Sequence, residues 1–188
     1  MTGTIERPLR ADAQRNRDQI LVAASAAFSK CGLEATLEGI AKDAGVGIGT
    51  LYRHFPTREL LIEAAYRNEL AAVCAAAPEL LDKLSPADAL RTWMDRYIDY
   101  MTRKLGMADA LRAVIASGAN PYAQSFELLV SAIERLLDAG VAAGEIRPDV
   151  SADDVLVSLS GVALAAGSKR DQADRLLNLL LDGLRYRA

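Results

Sequence analysis

Apolar positions recur at helical rather than strand spacing along most of the chain. From Arg10 to Cys31, Ile20, Ala24, Ala27, Phe28 and Cys31 fall on one stripe, and Gly32 stands where such a helix ends. Thr36, a favoured N-cap residue, opens "TLEGIAKDAG", in which Leu37, Ile40, Ala41 and Ala44 share a face and Gly45 is the stop. A third short segment runs from Gly47 to His54, ahead of Pro56. Thr57 is placed to cap a longer helix that Pro78 is expected to end. Ser85-Pro86 opens the next, with Gly106 as its stop, and "MADALRAVIASG" makes a short one. Pro121 is expected to begin a long helix. Ser151 caps "ADDVLVSLSGVALAAG", and "DQADRLLNLLLDGLRYR" is the last. No stretch alternates with period two for long enough to make a strand. The pattern predicts an all-α chain of about nine helices, with the first eight or so residues as a mobile arm.

The three short segments near the N-terminus have the spacing of a helix-turn-helix. Ala41 and Ala44 are small, as two closely crossing helices require; Val46 and Leu51 fill the angle between them, and Phe55 packs back. The predicted organisation is a three-helix head over residues 9–56, joined to a larger helical bundle over residues 57–188. Gly47, Ile48, Gly49 and Thr50 then form the exposed first turn of the second helix of the motif. Free backbone N–H groups and the positive dipole end there suit a phosphate. Tyr52, Arg53 and His54 follow, with a phenol, a guanidinium and an imidazole able to bond phosphate oxygens. Spacing alone equally accommodates Tyr52 and His54 as ordinary capping and packing residues.

Charge narrows where a polyanion could bind. The chain has 188 residues and a formal net charge of −3, so no global basic field draws it to nucleic acid or membrane. Residues 1–60 carry 8 Lys/Arg against 7 Asp/Glu, while residues 61–188 carry 14 against 18. Binding to a polyanion must therefore be local and N-terminal, unless the asymmetry is chance. A single histidine and two cysteines, Cys31 and Cys74, without metal or redox spacing argue against a metal site. The cysteines read as small packing residues in a reducing compartment, with a disulfide as the alternative. Neither a signal core nor a run of 18 apolar residues occurs, so a cytoplasmic protein is expected, with no membrane partner. No nucleophile–base pair stands at a recognisable spacing, which argues against an enzyme, and no cofactor is implied.

"TLEGIAKDAGVGIGTLYRHFPTRELL" resembles the DNA-binding signature of the tetracycline-repressor (TetR) family of bacterial regulators. The shared features are the opening Thr, Ile-Ala, Ala-Gly-Val, Gly-Thr-Leu-Tyr, His-Phe, and a basic residue before Glu-Leu. The resemblance implies a transcriptional regulator whose partner is a double-stranded DNA operator. It implies that Thr36 caps the second helix and touches the DNA backbone, and that Gly47 and Ile48 sit at the groove edge. Gly49 would allow close approach, Thr50 would reach towards bases, and Tyr52 and His54 would hold phosphates. Arg58 would contact another phosphate, where the family more often has Lys. Arg53 is at a variable position, open to base or backbone contact. Arg15 and Arg17 read either as extra phosphate contacts or as a solvated helix face. The family often has Ser at position 47; Gly here removes a hydroxyl that could cap the helix.

Members of the family bind near-palindromic sites as two-fold dimers. Ser158, Leu159, Gly161, Val162 and Ala165 on one helix, and Leu177, Leu180 and Leu184 on the last, are the candidates for pairing. The last helix is apolar on nearly two faces, which fits burial on both, in a homodimer or within one chain's core. The resemblance also implies a small-molecule effector site between Pro78 and Ala143. Its candidate lining is Trp93, Met94, Tyr97, Tyr100, Met101, Met107, Tyr122 and Phe126, although each also reads as core. The implied mechanism is a repressor released when a ligand shifts the long helix from Thr57 like a pendulum. An activator, or a ligand-binding helical protein that uses the same head, is the alternative.

Overall fold

The computed structural model describes residues 6–185, with side chains from residue 11 onwards. Among these residues the chain forms nine α-helices: α1 (Glu6–Cys31), α2 (Leu37–Asp43), α3 (Ile48–His54), α4 (Arg58–Leu81), α5 (Pro86–Gly106), α6 (Ala108–Ala116), α7 (Ser125–Ala142), α8 (Ala152–Ala166) and α9 (Arg170–Leu184). A 3₁₀ turn, Gly32–Glu34, follows α1. The all-α expectation holds. Of the arm expected over the first eight residues, residues 1–5 lie outside the described residues, while Glu6 already begins α1.

Two compact units are present. One contains residues 1–68 and 103–121, the other residues 69–102 and 122–188, so α4 and α5 each run through both. In the first unit, Ile20, Leu21, Ala24 and Phe28 of α1, Ile40 and Ala41 of α2, Leu51 of α3, and Leu61, Ile62 and Ala65 of α4 are buried. Residues 57–68 therefore pack with the head, as does α6. At the end of α5, Gly106 lies against the backbone of Ser29 so closely that a Cβ would overlap the Ser29 carbonyl.

In the second unit, Leu90, Trp93, Met94, Tyr97 and Ile98 of α5, Ile133 and Leu136 of α7, Val155 and Leu159 of α8, and Leu177 and Leu181 of α9 make the core. The Trp93 indole N–H donates to the Val73 carbonyl at 2.8 Å, which satisfies the polar edge of a ring that is wholly buried. The chain leaves α9 in extended form at Arg185, which bridges to Ile146, and the Arg147 N–H donates to the Leu184 carbonyl at 2.9 Å. Nothing local in the sequence announces that pairing.

Two boundaries marked by proline also differ from the sequence reading. Pro78 does not end α4, which continues to Leu81, with the Asp82 N–H bonded to the Pro78 carbonyl at 3.1 Å. The helix gives up the bond that residue 78 would have donated, but Ala76, Ala77 and Leu80 are buried, and that packing holds the last turn. Pro121 does not begin α7. Residues 121–124 turn first, with Gln124 in the left-handed region at φ 64°, and the helix starts at Ser125. Cys31 also departs from expectation: as the last residue of α1 it is exposed, while Cys74 is half-buried, and both thiols are free.

Candidate nucleic-acid interface

The turn between α2 and α3 is built by local chemistry. Thr36 caps α2, its Oγ1 accepting the Gly39 N–H at 3.1 Å. At the other end, Gly45 takes φ 68°, its N–H bonds the Lys42 carbonyl at 3.0 Å, and the Val46 N–H bonds the Ala41 carbonyl at 3.0 Å. These two bonds define a Schellman stop, for which a residue without Cβ is favoured. Of the three alternate glycines, Gly45 is thus required by the fold. Gly47 and Gly49 are different: a Cβ at either would meet nothing within 4 Å. Gly47 is the N-cap of α3 in extended conformation, without a side-chain cap. Ala would be better than Gly in a helix at position 49 by about 1 kcal/mol, so the bare surface has no reason inside the chain.

Leu51 and Phe55 are buried and define the inward side of α3. At roughly 100° per residue, Arg53 then stands about opposite them, with Gly49 beside it. Tyr52 falls on one flank and His54 on the other. Tyr52 is 46% exposed and Ile48 37%. The His54 ring is tilted against Phe55, with centroids 6.2 Å apart. The Arg53 guanidinium folds back over the first turn, Nε donating to the Gly49 carbonyl at 3.2 Å and Nη2 to Thr50 Oγ1 at 2.9 Å. Gly47, Ile48, Gly49, Thr50, Tyr52 and Arg53 are therefore brought together on one short exposed element, with His54 at its edge.

Arg58 and Arg17 are placed differently. The Arg58 Nη2 donates to the Leu33 carbonyl at 2.7 Å, and its guanidinium lies 5.1 Å from the Phe28 ring centroid. It ties the start of α4 to the 3₁₀ turn and α1. Arg17 covers the Phe55 ring at 5.4 Å, and Arg15 pairs with Asp12 at 3.4 Å on the surface. Thr57, beside Arg58, accepts the Leu60 N–H at 3.2 Å as the expected cap of α4.

Away from the head, five of the effector-site candidates share the buried side of α5. Trp93 stacks on Tyr97 at 5.7 Å, Tyr97 meets Tyr100 at 5.9 Å, and Met94 and Met101 are buried beside them. The Tyr97 hydroxyl is 2.8 Å from Ser160 Oγ, which donates to the Leu156 carbonyl. Met107 is buried in the first unit rather than the second, and Tyr122 and Phe126 are exposed, at 36% and 53%. Of the pairing candidates, Ser158, Gly161 and Ala165 face outward, Val162 and Leu180 are half-buried, and Leu159, Leu177 and Leu184 turn into the chain's own bundle. Leu179, one of the leucines that make the last helix apolar on nearly two faces, is exposed at 69%, and Val157 and Leu164, absent from the candidates, at 66% and 63%. Val157, Gly161, Leu164 and Ala165 recur at i, i+4, i+7 and i+8, a spacing that could have separated the outer face of α8 from the inner. Among the described residues no group of three or more His, Cys, Asp or Glu side chains could hold a metal ion, and no helix is long and apolar enough to cross a membrane.

Comparison with known proteins agrees over both units. Residues 20–65 match the family model described as bacterial regulatory proteins, tetR family, and residues 85–186 match that of the SbtR-like transcriptional regulator C-terminal domain. The HTH-type transcriptional repressor KstR of Mycobacterium tuberculosis is 30% identical over 138 residues, covering 71% of this chain and 60% of that protein. A TetR transcriptional regulator from Streptomyces coelicolor superposes with a TM-score of 0.90 and 59% identity over 92% of this chain and 99% of its own. A TetR regulatory protein from Mycobacterium vanbaalenii gives 0.80 and 31%, over 95% and 100%.

Proposed function

The chain belongs to the TetR family of bacterial regulatory proteins and is a DNA-binding transcriptional regulator; from that premise we propose that it acts as a homodimeric repressor, released from a near-palindromic operator by a small molecule. The observation that carries the DNA contact is the outer face of α3. Gly49 there has no internal reason to be glycine, and donors flank it on either side. Gly47, Ile48 and Gly49 enter the major groove, Thr50 and Arg53 face the base edges, and Tyr52 and His54 hold phosphates along the groove's two walls. Thr36 keeps its hydroxyl proton for a phosphate while its oxygen caps α2. Arg58 has donors left over from its bond to Leu33, so a phosphate contact is compatible with its position.

Residues 9–56 supply DNA contact in this reading, and residues 57–188 supply pairing and effector binding. One α3 reads few base pairs, and a second copy about 34–36 Å away along the duplex supplies the other half-site. The outer face of α8 and α9 supports that pairing, with Val157, Leu164 and Leu179 exposed around small Ser158, Gly161 and Ala165. Leu159, Leu177 and Leu184 have no part in the proposed interface, because they are already buried. The aromatic and methionine cluster of α5 is the proposed effector-responsive element, and α4 and α5 run through both units, which supports a mechanical link to the head. A ligand shifts the balance off DNA only by its preference for the released state.

Sequencing duplexes selected from a random library by the purified chain tests the reading. A near-palindrome is the expected result; its absence would refute operator binding. On the selected site, Tyr52→Ala weakens affinity for all sequences alike and leaves the salt dependence unchanged, because a neutral phenol displaces no counterion. Leu164→Glu with Leu179→Glu gives folded monomers in sedimentation; an unchanged dimer would exclude the α8–α9 face.

A further inference from the structure

Resting on the DNA-binding reading above, we propose that Arg53 reads a guanine in each half-site, positioned for it by Thr50 and by the Gly49 carbonyl. Helical geometry puts Arg53 at the centre of the exposed face, about opposite the buried Leu51 and Phe55. Phosphates line the walls of the major groove and base edges form its floor, so the central position faces bases and the flanks face phosphates. Tyr52 and His54 occupy those flanks.

The two hydrogen bonds of Arg53 decide which part of the guanidinium is presented. Nε and Nη2 together form one edge of the planar fork, and that edge is spent inside the protein on the Gly49 carbonyl and Thr50 Oγ1. The end edge, with one N–H on Nη1 and the second N–H of Nη2, is not used by these two bonds. It presents two parallel donors and no acceptor. In the major groove, guanine places two adjacent acceptors, O6 and N7, on one edge. Adenine sets a donor beside its acceptor, and thymine sets a methyl group beside its own. A donor-only fork therefore matches guanine and leaves a donor opposed or unmet on the other bases.

The two internal bonds also hold the side chain before DNA arrives. A free arginine side chain loses rotamer freedom on being fixed, and here part of that ordering is already done. Gly49 keeps the surface beside Arg53 bare: a Cβ there would meet nothing within 4 Å, so its absence leaves room on the outer face and not for the guanidinium. Thr50 acts on the base through Arg53 and is a positioning residue. Its oxygen accepts from Nη2 and its hydroxyl proton remains free for a neighbouring acceptor.

The test uses the full chain and the duplex selected from a random library. For the wild type, the selected half-sites contain one invariant guanine, and replacing it with adenine or with 7-deazaguanine lowers affinity roughly 5- to 150-fold. Arg53→Ala binds the guanine and substituted duplexes equally while keeping preferences at other positions, and its thermal melt stays with the wild type because the side chain is exposed. Arg53→Lys keeps the charge but has no separate edge with which to bond the Gly49 carbonyl and Thr50 Oγ1 while facing the base, so its guanine preference falls. Thr50→Val retains Arg53 and shows a reduced guanine preference. If Arg53→Ala keeps the full guanine preference, or weakens all duplexes alike with a shallower salt slope, Arg53 is a phosphate contact and the proposal is overturned. Selected half-sites without an invariant guanine overturn it too, while leaving operator binding intact. Failure to select any DNA overturns the function reading and this one together.

Discussion

Arg58→Ala should destabilise the head before it affects DNA affinity. In the structure the guanidinium makes a 2.7 Å bond to the Leu33 carbonyl and sits 5.1 Å from the Phe28 ring centroid. A hydrogen bond from a charged donor contributes about 1.5–3 kcal/mol, and a cation over an aromatic face about 0.5–1 kcal/mol at an exposed site. The hydrogen bond is solvent-accessible, so the lower part of the first range applies and the loss is about 2 kcal/mol. For a chain of this size that is a fall of about 4–8 °C in melting temperature. Circular dichroism melts at matched protein concentration measure it, since dimerisation itself moves the midpoint. Arg58→Lys should recover only part of the loss, because an ammonium lacks the fork that reaches carbonyl and ring together. DNA titrations across salt concentrations complete the comparison. A wild-type melt for Arg58→Ala, with the salt slope reduced by about one, would refute the structural clamp and leave Arg58 as a phosphate contact alone.

Further outcomes follow from the same structure. Gly49→Ala should leave the melt unchanged or slightly raised while lowering affinity for selected DNA, whereas Gly45→Ala, at φ 68°, should cost about 1–2 kcal/mol of stability. Gly106→Ala puts a Cβ into the Ser29 carbonyl and should destabilise the head by about 1–3 kcal/mol, seen as faster amide exchange in α1. Burial pushes the Cys74 thiol up to about 11, so at pH 8 a thiol reagent should modify exposed Cys31 well ahead of Cys74. The unfolded thiol ionises from about pH 9 and the folded one only near pH 11, so stability falls as pH rises through that window. Cys74→Ala should remove that part of the pH dependence in denaturant titrations.

The helix-turn-helix was legible because its determinants are local. The Thr36 cap, the Gly45 stop and the 3.6-residue spacing of Ile40, Ala41 and Ala44 act over three to seven residues, and each is found where the pattern put it. The resemblance read from the sequence alone covered the same short stretch, whereas the family models also match residues 85–186. Local rules misplaced the boundaries wherever packing outweighed them. Pro78 reads as a stop, yet the buried Leu80 keeps the helix going, and Pro121 reads as a start, yet the chain turns through Gln124 first.

By itself, then, the sequence determined which segments are helices, where the turn of the helix-turn-helix lies, and that Gly47 and Gly49 follow a stop that needs Gly45. Only the tertiary structure decided how side chains of one type divide between roles. Leu177 and Leu179 are two residues apart on one apolar helix, and one is fully buried while the other is 69% exposed. Arg53 and Arg58 are both basic residues at the motif, yet one folds over the outer face of α3 and the other is tied to Leu33 and Phe28, 25 or more residues away. Helical periodicity is a property of a few consecutive residues, whereas the partner of a charge or a leucine is set by chain segments that meet only on folding.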